Sequence, residues 1–93
     1  MKFLLIGKNG QVGWELNRSL SKLGNVFAVG RNELDLSMPE TLGAIIQDIR
    51  PDIIINAAAY TDVDKAESEP ELAMTVNGIS PGIIAREAKK IGA

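Results

Sequence analysis

Cysteine and histidine are both absent from this 93-residue chain. The first absence excludes disulfide staples and thiolate metal sites, and it suits a reducing, cytoplasmic setting. The second removes the commonest general base and metal ligand. Proline is sparse, and each of the four falls at the boundary of a predicted element. Long hydrophobic runs are missing. "MKFLLIGKNG" opens the chain with an apolar stretch of only four residues, too short for a signal peptide or a membrane span. A basic block is missing too: ten Lys and Arg stand against twelve Asp and Glu, for a net charge of −2. Neither nucleic acid nor an anionic membrane is therefore expected as a partner.

What is present is ordinary for a folded protein: 45% hydrophobic and 24% charged residues, enough for one small domain of modest core. Phe3–Ile6 is a continuous apolar run closed by Gly7, as expected of a strand buried on both faces. Val12, Leu16, Leu20 and Leu23 follow at helical spacing, with Gly24 as the stop. Val26–Val29 reads as a second buried strand and Glu33–Leu36 as a very short third one. Ser37 and Glu40 have capping-box spacing around Pro39, and Leu42, Ile45, Ile46 and Ile49 make a helical stripe that Pro51 ends. "DIIINAAA" is the fourth strand; its three consecutive isoleucines predict cover on both faces. Ser68 and Glu71 repeat the capping box around Pro70, and a final helical stretch is predicted to break near Ser80–Pro81 and to end at Gly92. Strands alternating with helices in this way predict βαβ units and parallel pairing.

The segment "GKNGQVG" joins the first strand to the first helix. A helix N-terminus exposes unpaired N–H groups at the positive end of its dipole, and so attracts phosphate. Close approach requires a loop without Cβ atoms. Gly7 permits the tight exit from the strand, Gly10 the approach of the ligand and Gly13 the contact of helix with sheet, with Gln11 and Val12 opening the helix. In this context the spacing predicts dinucleotide binding, and the absence of Gly-Lys-Ser/Thr excludes a P-loop.

No acid closes the second strand, which ends Val29-Gly30-Arg31. A carboxylate there would favour NAD over NADP; Arg31 instead suits a 2′-phosphate. Lys8 either adds a second charge or is an ordinary solvated cation. NADPH is thus expected to be accepted at least as well as NADH. Ligands of open α/β sheets bind beyond the carboxyl ends of strands, so the glycine loop should face "NAAAYT". The small Ala57, Ala58 and Ala59 would let a ribose lie against backbone.

The G-x-x-G-x-x-G spacing resembles that of the short-chain dehydrogenase/reductase superfamily, particularly its extended branch. "GKNGQVGWEL", "RPDIIINAAAYTDVDKAESEPELA" and "VNGISPGIIAREAKKIGA" together resemble the N-terminal part of the dTDP-4-dehydrorhamnose reductase family. The resemblance implies a partial Rossmann fold: α/β, a parallel sheet in order 3-2-1-4, helices on both faces. It implies Asp35 against the adenine amino group, Leu36 against the adenine ring, and Tyr60 and Thr61 near the nicotinamide. It implies NADPH or NADH as cofactor, both being often used in the family, a dTDP-sugar substrate, and Mg²⁺ as an option in the full-length enzyme. Asn77 matches the superfamily's helix asparagine, which either organises a proton-relay water or makes a buried structural hydrogen bond.

The superfamily's catalytic tyrosine is followed four residues on by a lysine. The sole tyrosine, Tyr60, is followed at that spacing by Asp64, with Lys65 one place too far. No catalytic residue is therefore assigned. Residues 1–93 are expected to be the N-terminal part of an NAD(P)-binding Rossmann domain, without the catalytic Tyr/Lys segment and the substrate domain, and inert alone. The complete cytoplasmic enzyme would reduce dTDP-4-dehydro-L-rhamnose to dTDP-L-rhamnose for cell-surface polysaccharide. The rivals are another extended reductase, epimerase or dehydratase on nucleotide sugars, a non-catalytic NADP-binding subunit, and a folding module that binds nothing tightly. The acidic run Asp62, Asp64, Glu67, Glu69 and Glu71 reads as solvated surface, and Trp14 carries no assigned chemistry. An uncovered fourth strand would be a bare edge, so association is expected, a homo-oligomer being one form of it.

Overall fold

A computed structural model describes residues 1–58 and 69–93. Strand β1 (Lys2–Ile6) lies at the centre of a parallel sheet, with β2 (Asn25–Val29) on one side and β3 (Ile53–Asn56) on the other. In register, Leu4 sits between Phe27 and Ile54, and Ile6 between Val29 and Asn56. Parallel neighbours need crossovers, and two helices supply them: α1 (Gln11–Leu20) joins β1 to β2, and α2 (Leu42–Ile49) joins β2 to β3. The last helical stretch comprises α3 (Pro70–Met74), a wide π-type turn (Thr75–Ile79) and α4 (Ser80–Ile91).

The central strand explains why "FLLI" is apolar at every position. Leu4 and Ile6 pack with Leu42 and Ile46 of α2 and Ile84 of α4 in one core cluster. Phe3 and Leu5 point to the opposite face, toward α1, and all four are at most 4% exposed. The chain is thus a Rossmann-like α/β unit with helices on both faces, as expected.

The expected third strand does not form. Leu34 and Glu33 turn their N–H groups back onto the Gly30 carbonyl at 3.0 and 3.1 Å, which curls the chain instead of extending it. Leu34 and Leu36 drop into the core from this turn. Among the described residues the sheet therefore has three strands, in order β2-β1-β3, rather than 3-2-1-4. The strand edges correct two further expectations. Val26–Val29 is not buried throughout, because β2 is an edge strand on which Phe27 stays 44% exposed beneath the Lys2 ammonium, 5.1 Å from its ring. On β3, Ile53 is 38% exposed and Ile54 and Ile55 are only partly buried, so cover on both faces is incomplete.

The helix signals fared unevenly. The Leu42–Ile45–Ile46–Ile49 stripe packs on the core as its spacing predicts, and Arg50 ends α2 in the left-handed region (φ 50°) just before Pro51. The Ser37–Glu40 capping box does not form: Ser37 bonds Asp35, and a 3₁₀ turn at Pro39–Thr41 precedes the helix. Of the α1 stripe, Leu16 and Leu20 are half-buried, whereas Val12 and the following Leu23 are exposed. Gly13 is the buried residue of that helix, because the first turn of α1 packs on the Gly7–Lys8 backbone just beyond β1 and leaves no room for a side chain. The expected break near Pro81 is the π-type turn. A proline has no N–H for the carbonyl four residues earlier and its ring would collide with it, so widening one turn relieves both. Gly92 caps α4 with φ 76°, as expected. Ser68 lies outside the described residues, and α3 begins after Glu69 with no side-chain cap.

Candidate dinucleotide site

Three glycines shape the loop between β1 and α1, each for a different reason. Gly7 adopts φ +92°, which a side chain would strain, and a Cβ on it would stand 2.7 Å from the Ala58 nitrogen. Gly13 packs so tightly that a Cβ would overlap the Gly7 carbonyl oxygen. Gly10 differs from both. A Cβ there would meet nothing nearer than the Gly7 oxygen at 3.8 Å, and its φ of −79° suits any residue. Protein packing therefore does not require glycine at position 10.

Gly10 is the N-cap of α1, with no side chain to satisfy the first-turn amides. It opens onto a cleft of about 500 Å³. One wall is the glycine loop: Gly7, Asn9, Gly10, Gln11 and Val12. The opposite wall is the turn after β2, with Gly30, Arg31, Leu34, Asp35, Leu36 and Ser37. Ala57 and Ala58, just beyond β3, close one side, and Leu72 and Val76 reach in from α3 and the π-type turn. The glycine loop and the segment after β3 do face each other: a Cβ on Gly7 would meet the Ala58 nitrogen at 2.7 Å and the Ala57 carbonyl carbon at 3.0 Å, and Ala57 donates to the Ile6 carbonyl.

Of the residues singled out in the sequence, Gly7, Gly10, Gln11, Val12, Arg31, Asp35, Leu36, Ala57 and Ala58 line this cleft. Gly13 lies beneath it as a packing residue. Ala59, Tyr60 and Thr61 lie outside the described residues, as do Asp62, Asp64, Lys65 and Glu67. Asn9, Gly30, Leu34, Ser37, Leu72 and Val76 also line the cleft and were not singled out as cofactor residues. Asn9 could have been found from its place inside the loop, and Leu72 and Val76 from their i,i+4 spacing on a helix. Asn77, in the π-type turn, is exposed.

The electrostatics concentrate at the end of β2. Arg31 is 79% exposed at its side chain, with Nε 3.9 Å from Asp35 Oδ2. Asp35 Oδ1 accepts the Ser37 hydroxyl at 2.7 Å and the Ser37 N–H at 2.9 Å. These two bonds, the hydroxyl's first, and then the charge of Arg31 hold its carboxyl below the usual aspartate range. Lys8 is not a free cation: its ammonium lies 2.9 Å from Glu33 Oε1. Among the described residues no group of three or more Asp or Glu side chains converges on a metal position. No described helix is long and apolar enough to cross a membrane.

Residues 1–93 match the family described as RmlD substrate binding domain. The chain belongs to that family. A dTDP-4-dehydrorhamnose reductase of Burkholderia thailandensis is 53% identical over 92 residues, which are 99% of this chain and 31% of that protein. The crystal structure of a dTDP-4-dehydrorhamnose reductase from Clostridium acetobutylicum superposes with a TM-score of 0.93 at 34% identity, covering all of this chain and 34% of that one. A dTDP-4-dehydrorhamnose reductase from Bacillus anthracis, solved in complex with NADP, superposes with a TM-score of 0.90 at 34% identity, over 99% of this chain and 34% of that one. The RmlD family chain described here spans about a third of the length of these relatives.

Proposed function

We propose that this chain is the N-terminal, dinucleotide-binding part of an NAD(P)H-dependent reductase that converts dTDP-4-dehydro-L-rhamnose to dTDP-L-rhamnose. The observation that carries the reading is Gly10. It is the one loop glycine for which no neighbouring protein atom demands the absence of a Cβ, and it borders the cleft at a helix N-terminus. The space in front of it fits a group that must approach the backbone closely, as a pyrophosphate does. The NADP complex of the similar Bacillus anthracis reductase supports the same cofactor class.

The residues fit that group in three places. First-turn amides of α1 and the bare Gly10 would take the pyrophosphate. Arg31, exposed on the opposite wall, would take the 2′-phosphate of NADPH. Asp35 and Leu36 would border the adenine: Asp35 Oδ1 is occupied by Ser37, while Leu36 is buried in the core and shows only part of its surface to the cleft. When bound, the nicotinamide supplies hydride. This chain's own share is to hold the cofactor and to keep the cleft wall rigid. The acid that protonates the developing alkoxide, the dTDP-sugar contacts and any Mg²⁺ belong to other parts of the proposed enzyme.

The test is Gly10→Val in the intact protein. Nothing in the protein opposes the larger side chain at first contact, so thermal stability should change little while NADPH affinity falls by at least tenfold. Unchanged affinity would refute the assignment.

A further inference from the structure

The chain after β2 carries an acid back to the strand tip that the linear order does not place there. Glu33 stands three positions past Gly30, yet its Oε2 accepts the Gly30 N–H at 2.8 Å. Its Oε1 takes Lys8 Nζ at 2.9 Å, from the glycine loop on the opposite wall. One carboxylate thus ties together the two loops that flank the cleft. Gly30 is small because Lys8, Asn9 and Glu33 crowd over it: a Cβ would meet Asn9 Nδ2 at 2.8 Å, and Lys8 Cε and Glu33 Oε2 at 3.3 Å. The bond from Lys8 first, and then that from Gly30, hold the Glu33 carboxyl below its ordinary range, so it is charged at neutral pH.

We propose that the Lys8–Glu33 pair over Gly30 sets how strongly the site distinguishes dinucleotides with a 2′-phosphate from those without, Arg31 being the attracting charge; this rests on the dinucleotide reading above. The group at the tip of the second strand is the one that meets the adenosine ribose. An uncompensated Glu33 there would accept from a ribose hydroxyl and repel a phosphate. Lys8 cancels that charge. With Lys8 and Arg31 positive and Glu33 and Asp35 negative, the strand tip is neutral overall, and this balance admits both cofactor types. Removing Lys8 leaves an excess negative charge facing a phosphate. Removing the charge of Glu33 leaves an excess positive one.

Titrating the intact protein with NADPH and with NADH reads this directly as a ratio of dissociation constants. Glu33→Gln should shift the ratio toward NADPH roughly three- to fivefold, the size expected for partly exposed charges. Lys8→Met should shift it toward NADH by a similar factor, Lys8→Arg should leave it in place, and the double variant Lys8→Met with Glu33→Gln should return near the starting value. Both single shifts should shrink between about 0.02 M and about 0.5 M salt, because exposed charges are screened. A loss of affinity for both cofactors in equal measure, or a ratio that does not move, overturns the proposal and leaves dinucleotide binding standing. If the unaltered protein binds neither cofactor, the dinucleotide reading falls and this inference falls with it.

Discussion

The Ser80 hydroxyl, fully buried at the start of α4, donates a 2.5 Å hydrogen bond to the Leu36 carbonyl, 44 positions earlier in the chain. It pins the cleft wall carrying Asp35 and Leu36 to the helix behind it. A turn without a strand partner needs such an anchor, since no sheet ladder holds its backbone. Ser80→Ala removes the donor and leaves a buried acceptor, at a cost of about 1–3 kcal/mol. At this chain length each kcal/mol corresponds to a fall of roughly 4–8 °C in the melting temperature. A thermal melt within about a degree of the parent would show that the bond contributes nothing.

Gly13 and Gly82 should respond oppositely to the same change. Gly13→Ala drives a methyl group into the Gly7 carbonyl and should cost about 2 kcal/mol or more, with β1 and α1 forced apart. Gly82 lies in α4 with open space where its Cβ would go. Gly82→Ala should stabilise by roughly 0.5–1 kcal/mol through helix propensity. Urea denaturation of the two variants side by side checks the contrast; equal effects would contradict this account of Gly13.

Arg31→Ala should weaken NADPH binding about tenfold, the scale of one charge-assisted phosphate contact, and NADH binding by much less. The side chain is exposed and its partner Asp35 stands 3.9 Å away, so little stability is at stake. Isothermal titration with both cofactors separates the two effects. Equal losses would remove Arg31 from 2′-phosphate recognition.

Acid should loosen the contact between α2 and α4. Glu87, buried on α4, accepts Gln47 Nε2 at 3.0 Å and Lys90 Nζ at 3.2 Å. The hydrogen bond from Gln47, then that from Lys90, hold its carboxyl below the ordinary 4.5. A group depressed in the folded state contributes stability that is present above its unfolded value and lost as pH falls through the folded one. Melting temperature should therefore drop as pH is lowered from about 6 to about 3. Glu87→Gln should show a shallower fall, the remainder coming from Glu33 and Asp35, which are lowered as well. An identical pH profile in the variant would rule the contact out as an acid-sensitive one.

Local chemistry was legible wherever one short stretch determines the outcome. The three-residue spacing of Gly7, Gly10 and Gly13 marks a strand-to-helix loop: Gly7 and Gly13 answer to backbone pressed against them, and Gly10 opens onto the cleft. The Leu42–Ile49 stripe and the Gly92 cap follow from helical periodicity and from the left-handed turn that glycine accepts. Nine of the proposed cofactor residues line one cleft because the βαβ order alone brings the ends of parallel strands together.

Tertiary structure decided what depends on which neighbour arrives. Glu33–Leu36 alternates like a strand, but its amides find the Gly30 carbonyl first and its leucines find the core, so it turns. Ser37 has the spacing of a cap, yet Asp35 lies closer and takes its hydroxyl. Val12, Leu23, Phe27 and Ile53 are apolar and stay exposed, since burial is set by the elements packed around a side chain and not by its own type. The same holds for charge: in linear order the second strand ends without an acid, and only the fold returns Glu33 to its tip beside Lys8. Sequence determined the three strands that form, the helices and the loop chemistry because those forces act over a few residues; the turn after β2, the electrostatics and the edges of the cleft come from contacts that only the folded arrangement specifies.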